Sequence, residues 1–250
     1  MLTALQRHLI YFPATAPEEQ LLELASRAGL QAWRDGSGAI IGWRPAGGQR
    51  YKKRLVVFHG NAGFALDRVY FRDGFEARGW EVLLFEYPGY GARPGKPSAD
   101  AIRRAAADAL PALTENDQRP VYLLGESLGS GVATYLAGAY PDAVSGLLLI
   151  TAFTSLADVA AKHYPFLPVR MLLSENYDSA AALAEYHGPV AFLLAGRDEI
   201  VPVESGQALH DGYLGPRWLR IERDAGHNTL PYHPGAEWWT SVSDFLAGTH

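Results

Sequence analysis

Ser127 is the residue of this sequence whose surroundings best suit nucleophilic chemistry. It lies in the pattern Gly125-x-Ser127-x-Gly129, directly after the apolar run 121–124, which has the length and composition of a short buried strand. Apolar residues then recur at helical spacing, so the sequence predicts a strand, a very tight turn and a helix. The two glycines let the strand and the helix approach closely, and the turn presents the serine hydroxyl outward.

A chance match and a dinucleotide-binding turn are the alternatives for this glycine-rich junction. The pattern fixes three of five positions, but the predicted strand and helix on either side favour a functional turn. A dinucleotide-binding turn requires G-x-G-x-x-G, which this junction lacks. We therefore interpret Ser127 as a nucleophile. The N–H of Leu128, at the start of the helix, is then a predicted donor to a developing oxyanion.

A serine nucleophile needs a base, and the base needs a carboxylate that orients it. Among the eight histidines, His227 is the best candidate base, because it follows the last predicted strand in a glycine-containing loop. His233 is a minor alternative. Asp198, just past the preceding predicted strand, is the best candidate acid. Glu199 is the second choice, and Asp224 is more suited to shaping the loop before His227.

The segment 59–63, His-Gly-Asn-Ala-Gly, is expected to complete the oxyanion hole. A tetrahedral intermediate needs two or more donors aimed at its oxygen. Besides Leu128, the N–H of Asn61 is the predicted second donor, with Ala62 less favoured. His59 is expected to brace this loop by hydrogen bonds. The alternative interpretation is an ordinary Gly-Asn turn.

These residues lie at the ends of predicted strands that alternate with helices. Asp-Gly-Ser-Gly at 35–38 predicts a hairpin between the first two strands, and helical crossovers between the later strands predict a largely parallel sheet. In such sheets, reactive groups gather at the carboxyl ends of the strands. The predicted strands are Leu30–Arg34, Ala39–Arg44, Arg54–Phe58, Trp80–Phe85, Val121–Leu124, Gly146–Ile150, Pro189–Ala195 and Trp218–Glu222.

Composition narrows the class of protein. The chain has 250 residues, enough for one large α/β domain with a sizeable core. A net charge of −5 and the lack of a basic stripe argue against nucleic-acid binding. The absence of cysteine excludes disulfides, thiolate chemistry and Cys-ligated metals. No apolar run approaches the ~20 residues of a membrane span, and no signal-peptide core is present, so we expect a cytoplasmic protein.

Together these motifs resemble the serine α/β-hydrolase superfamily, and more closely its branch of small esterases, monoacylglycerol lipases and protein depalmitoylases. The resemblance rests on the segments 59–63, 87–91, 125–129, 196–198 and 226–227, on 164–170 and 177–179, and on the chain order serine, acid, histidine. It implies an eight-stranded sheet, a triad of Ser127, Asp198 and His227, and acyl hydrolysis without a cofactor. Many relatives carry a membrane anchor before the arm 10–13. Its absence implies a soluble form or one whose anchor has been removed.

Residues 151–188 separate two core strands by more than a simple crossover requires. We expect a small helical cap here, inserted within a single domain of residues 1–250, because the superfamily often places a cap over the nucleophile at this point. An apolar underside would form an acyl pocket. Alternatively, these apolar residues only bury the cap against the sheet. The predicted substrate contacts are Phe64, Tyr87, Tyr90, Tyr164 and Phe166.

The preferred function is hydrolysis of carboxylic esters with short or medium acyl chains, through an acyl-enzyme on Ser127. The alternatives are an acyl-protein or acyl thioesterase, a serine peptidase or amidase of the same fold, and a non-catalytic relative that binds ligand. An intact triad argues against the last alternative. The expected partner is a small-molecule acyl ester or thioester, with no nucleic acid. The sequence leaves the oligomeric state open.

Overall fold

A central sheet of eight strands organises the molecule. The computed structural model describes residues 2–47, 50–114 and 117–248. The two ends of the predicted domain, residue 1 and residue 250, therefore lie outside the described residues. The strands of the described residues are β1 (Phe12–Pro13), β2 (Leu30–Arg34), β3 (Ile40–Pro45), β4 (Lys53–Phe58), β5 (Ala62–Gly63), β6 (Trp80–Phe85), β7 (Val121–Glu126), β8 (Gly146–Ile150), β9 (Val190–Ala195) and β10 (Arg217–Glu222). The short strands β1 and β5 pair with each other, and the other eight form the central sheet.

The strand order in the large sheet is β10-β9-β8-β7-β4-β6-β3-β2. β3 pairs antiparallel with β2 and with β6, and the remaining neighbours are parallel. The inner strands form continuous apolar runs because both faces of a parallel sheet are covered. This confirms the predicted α/β-hydrolase fold with a mostly parallel eight-stranded sheet.

Helices cover both faces of the sheet. They are α1 (Leu2–Ile10), α2 (Glu18–Arg27), α3 (Val69–Glu76), α4 (Ala99–Ala109), α5 (Pro111–Thr114), α6 (Leu128–Ala139), α7 (Leu156–His163), α8 (Val169–Leu172), α9 (Ser179–Ala184), α10 (Val203–Gly212) and α11 (Trp238–Ala247). Core residues of α4, α6, α9 and α10 pack on one face, and those of α2, α3 and α11 pack on the other. Successive residues of β7 alternate between these two cores: Leu123 faces the first and Leu124 the second.

Several helix boundaries differ from the sequence patterns. The sequence pattern predicts one helix over 64–78, whereas the structure has α3 preceded by a 3₁₀ turn at Ala65–Arg68. The pattern also predicts one helix over 99–113. The structure divides this stretch into α4 and α5 at Pro111, because proline lacks the N–H that an interior helical position needs. The residues around 9–13, predicted as an arm, are the end of α1 and the strand β1, which pairs parallel with β5.

Three helices, α7, α8 and α9, lie between β8 and β9, within the stretch predicted to form a cap. Phe153 and Tyr177 in this stretch are buried in the core, whereas Phe166 and Met171 are on the surface. Among the described residues, no helix has both the length and the apolar character that crossing a membrane would require.

Candidate active site

Ser127 occupies the turn between β7 and α6 in a strained backbone conformation. Its φ is +52° and its ψ is −116°, in a region that L-residues other than glycine rarely occupy. A Cβ at Gly125 would lie 2.4 Å from the carbonyl oxygen of Gly129, and a Cβ at Gly129 would lie 2.0 Å from that of Phe58. Both glycines are therefore required by close backbone contacts, as the sequence pattern predicts.

The structure brings Ser127, His227 and Asp198 together. Nε2 of His227 is 3.0 Å from Oγ of Ser127, and Nδ1 of His227 is 2.9 and 2.8 Å from the two carboxylate oxygens of Asp198. The side chain of Asp198 is 1% exposed and that of His227 is 9% exposed. The imidazole therefore bridges the hydroxyl and a buried carboxylate, the arrangement that a base and its orienting acid require.

Backbone donors orient the carboxylate of Asp198. Its Oδ1 accepts hydrogen bonds from the N–H groups of Ile200 at 2.9 Å and Val201 at 2.7 Å. The other acids considered from sequence do not contact the imidazole of His227. Within the described part of the chain, Glu199 accepts only from the backbone N–H of His227, at 3.4 Å, and Asp224 pairs with Arg197 at the surface. The geometry therefore favours Asp198 over both alternatives.

The loop 59–63 lies beside Ser127 and is fixed from several sides. A Cβ built on Gly60 would be 3.7 Å from Cβ of Ser127. The side-chain amide of Asn61 donates to the carbonyl of Ile10 at 2.7 Å, and the carbonyl of Asn61 accepts from the N–H of Phe12 at 2.9 Å. These contacts fix the side chain and the carbonyl of Asn61.

The N–H of Leu128 belongs to the first turn of α6, where helical N–H groups have no intrahelical partner. It therefore remains a suitable second donor. His59 is buried, and its Nδ1 is 2.7 Å from the carbonyl of Gly60, which places it under the loop as predicted. His233, the alternative base, accepts hydrogen bonds through its backbone carbonyl from Ala236 and from the indole of Trp239.

Tyr87 and Tyr90, predicted to contact the substrate, are instead buried beneath the loop 59–63. Both are 0% exposed. The hydroxyl of Tyr87 donates to the carbonyl of His59, and that of Tyr90 to the carbonyl of Asn61, each over 2.7 Å. Burial raises the pKa of both hydroxyls above the usual range, so they remain donors. Their role is to support the loop, since a buried phenol needs an acceptor and the loop carbonyls provide one.

The aromatic residues predicted from the insertion are also placed differently. Tyr164 and Phe166 lie between α7 and α8 with exposed rings, and Phe166 is 97% exposed. The predicted pocket aromatics are therefore on the outer surface of the insertion. Phe64 is half-buried against the core, and its contact with substrate stays a prediction.

Sequence reasoning missed a polar cluster that surrounds Glu126, the residue before Ser127. Oε2 of Glu126 accepts from Nε of Arg68 at 2.7 Å and from the N–H of Gly60 at 3.4 Å, and Oε1 accepts from the hydroxyl of Tyr70 at 3.1 Å. Burial, followed by the charge of Glu126, raises the pKa of Tyr70. The sequence did contain one signal for this cluster, namely a glutamate at the end of a buried strand, because a buried charge requires a partner.

Comparisons with known proteins agree with the fold described above. A family model described as the alpha/beta hydrolase fold matches residues 53–176. An uncharacterised protein of Mycobacterium tuberculosis strain H37Rv is 35% identical over 252 residues, covering 98% of this chain and 88% of that protein. The alpha/beta hydrolase domain-containing protein WAV2 of Arabidopsis thaliana is 32% identical over 212 residues, covering 77% of this chain and 69% of WAV2.

One further relative and one solved structure are also similar to this chain. The lysophosphatidylserine lipase ABHD12 of Danio rerio is 30% identical over 210 residues, covering 72% of this chain and 52% of that protein. The Pyrococcus furiosus esterase Pf2001 superposes with a TM-score of 0.67 at 16% identity, covering 96% of this chain and 97% of the esterase. At this identity, the esterase supports the fold alone.

Proposed function

This chain belongs to the α/β-hydrolase family, and on that premise we propose that it is a serine hydrolase that cleaves carboxylic esters of short or medium acyl chains. The observation that most supports this proposal is the distance of 3.0 Å between Nε2 of His227 and Oγ of Ser127, while Nδ1 of the same ring contacts the carboxylate of Asp198. The similarity to a lysophosphatidylserine lipase supports an acyl ester as the substrate class.

In the proposed reaction, Ser127 attacks the ester carbonyl while His227 takes the hydroxyl proton. The buried carboxylate of Asp198 remains ionised and stabilises the imidazolium that forms. The N–H groups of Leu128 and Asn61 hold the oxyanion of the tetrahedral intermediate. His227 then protonates the leaving alcohol, and an acyl-enzyme on Ser127 remains.

Hydrolysis of the acyl-enzyme repeats these steps with water as the nucleophile. His227 removes a proton from water, the same donors hold the second oxyanion, and Ser127 recovers its proton as the carboxylic acid leaves. The geometry is equally suited to oxygen esters and thioesters, because both pass through a tetrahedral oxyanion. Rates measured on an ester and a thioester that carry the same acyl chain show which of the two the protein prefers.

A fluorophosphonate probe followed by mass spectrometry tests the proposal. We expect an adduct on Ser127 that is absent from Ser127→Ala and strongly reduced in His227→Ala. His233→Ala is the matched control and should label normally. Failure of the folded wild-type protein to label would contradict the proposal and would favour a non-catalytic protein that binds ligand.

A further inference from the structure

Two segments at the surface expose several large apolar side chains. They are α1 with β1, and the chain from the end of α7 through α8. Phe166 is 97% exposed and Met171 is 87% exposed. We define the apolar face by six exposed residues, namely Leu5, Leu9, Phe12, Phe166, Leu167 and Met171. Contiguous exposed apolar surfaces of this kind mark interaction sites.

Hydrogen bonds hold the two segments side by side. The side-chain amide of Gln6 donates to the carbonyl of Leu172 at 2.7 Å, and its oxygen accepts from the N–H of Ser174 at 3.0 Å. Glu175 is buried and accepts from Nε of Arg7 and from the hydroxyl of Tyr11, each at 2.7 Å. The end of α1 is thus fixed to the chain that follows α8, so the apolar residues of both segments form one surface.

The charges of these segments are of one sign. Residues 2–13 and 162–173 contain no aspartate or glutamate, although the whole chain carries a net charge of −5. They do contain Arg7, Lys162 and Arg170. The partner of Arg7, Glu175, is buried, and the side chain of Arg170 is 70% exposed against 41% for its partner Asp158.

Lys162 completes the basic set, and its Nζ lies 3.8 Å from the carboxylate of Glu204. The ion pairs of Lys162 and Arg170 are exposed and contribute little to stability, so these two cations can exchange partners readily. A surface that combines apolar side chains with basic residues complements anionic lipid headgroups above a hydrocarbon layer.

The apolar face also borders the loops that carry the candidate active site. The N–H of Phe12 donates to the carbonyl of Asn61 at 2.9 Å. Nε2 of His163 is 2.7 Å from the carbonyl of Ile200, two residues after Asp198. Both apolar segments therefore contact the carboxyl edge of the sheet, where Ser127 lies.

From this arrangement we infer that the apolar face docks on the surface of an anionic lipid bilayer, with the edge of the sheet that carries Ser127 turned toward the lipid. Phe166 and Met171 enter the acyl region, and Arg170 and Lys162 contact the phosphates. Docking does not require the proposed hydrolysis. If both hold, the ester substrate reaches Ser127 from the surface of the bilayer.

Co-sedimentation with phosphatidylcholine vesicles that contain phosphatidylglycerol tests the inference. The double variant Phe166→Ser/Met171→Ser should lower the partition coefficient about tenfold or more, since two large apolar side chains no longer leave water. The matched control is Leu214→Ser, because Leu214 is 93% exposed but lies outside the apolar face. It should bind as wild type does. No sedimentation of the wild-type protein, or an equal loss in Leu214→Ser, would overturn the inference.

Two further measurements separate the alternatives. Arg170→Gln should weaken binding to the anionic vesicles and leave any binding to phosphatidylcholine alone unchanged. If the vesicles bind no protein but sedimentation velocity shows a dimer that Phe166→Ser/Met171→Ser dissociates, a second copy covers the face and lipid docking is wrong. Ser127→Ala should bind vesicles as wild type does, so a failure of the proposed hydrolysis would not be mistaken for a failure of docking.

Discussion

Nε of Arg68 donates to Oε2 of Glu126 over 2.7 Å, and the two side chains are only 16% and 15% exposed. Burial opposes the charge of Arg68, but the carboxylate of Glu126 outweighs it and holds the pKa of the guanidinium above its usual range. Because Glu126 precedes Ser127 and also accepts from the N–H of Gly60, this ion pair connects the nucleophile turn with the loop that carries Asn61.

Removing one partner of this ion pair should lower the free energy of unfolding more than removing both partners. Arg68→Met leaves the charge of Glu126 buried and unpaired, which we expect to lower the free energy of unfolding by about 3–5 kcal/mol. The double variant Arg68→Met/Glu126→Gln should recover part of that loss. The free energy of unfolding of each variant is measured by urea denaturation. Arg27→Met is the control, because its pair with Glu23 is solvent-exposed and should contribute little. Losses that simply add in the double variant would contradict this account.

Ser127 should be a residue that function requires and stability does not. Its φ of +52° costs about 1–3 kcal/mol for a residue with a Cβ. Glycine relieves that strain but adds freedom to the unfolded chain. We therefore expect Ser127→Gly to exceed Ser127→Ala in free energy of unfolding by about 1 kcal/mol, while both variants lose turnover. Equal denaturation midpoints for the two variants would show that the turn is not strained.

The identity of the acid can be decided by paired variants. Asp198→Asn should reduce kcat by roughly 10⁴, because an amide favours the wrong imidazole tautomer. Glu199→Gln should change kcat little, since Glu199 meets only the backbone N–H of His227. A chromogenic short-chain ester measures both. A larger loss in Glu199→Gln than in Asp198→Asn would reverse the assignment.

The sequence predicted most of the fold because each buried strand is a short apolar run bounded by turn residues. It also predicted that Ser127, Asp198 and His227 would meet, since polar residues that follow neighbouring parallel strands share one edge. Their catalytic roles stay predictions. The helix α1 was missed, although Leu5 and Leu9 are spaced as on one helical face.

Contacts between distant residues could not be predicted from local patterns. Arg68 and Glu126 are 58 residues apart, and no periodicity in the chain relates them. Tyr87 was interpreted as a substrate contact because aromatic residues near a strand end suit a pocket equally well. Its burial depends on an acceptor, the carbonyl of His59, that only the folded loop provides.

Tyr87 is the residue by which support of the loop can be tested. Its hydroxyl donates to the carbonyl of His59 at 2.7 Å, and the centroid of its ring lies 4.0 Å from the centroid of the His59 imidazole. Tyr87→Phe retains the ring and leaves that carbonyl unsatisfied, which should cost about 1–3 kcal/mol of stability. If the loop positions the N–H of Asn61, kcat should fall while KM changes little, because the oxyanion forms only after binding. Tyr140→Phe, at an exposed tyrosine, is the control. A rise in KM with unchanged kcat would instead return Tyr87 to the substrate site.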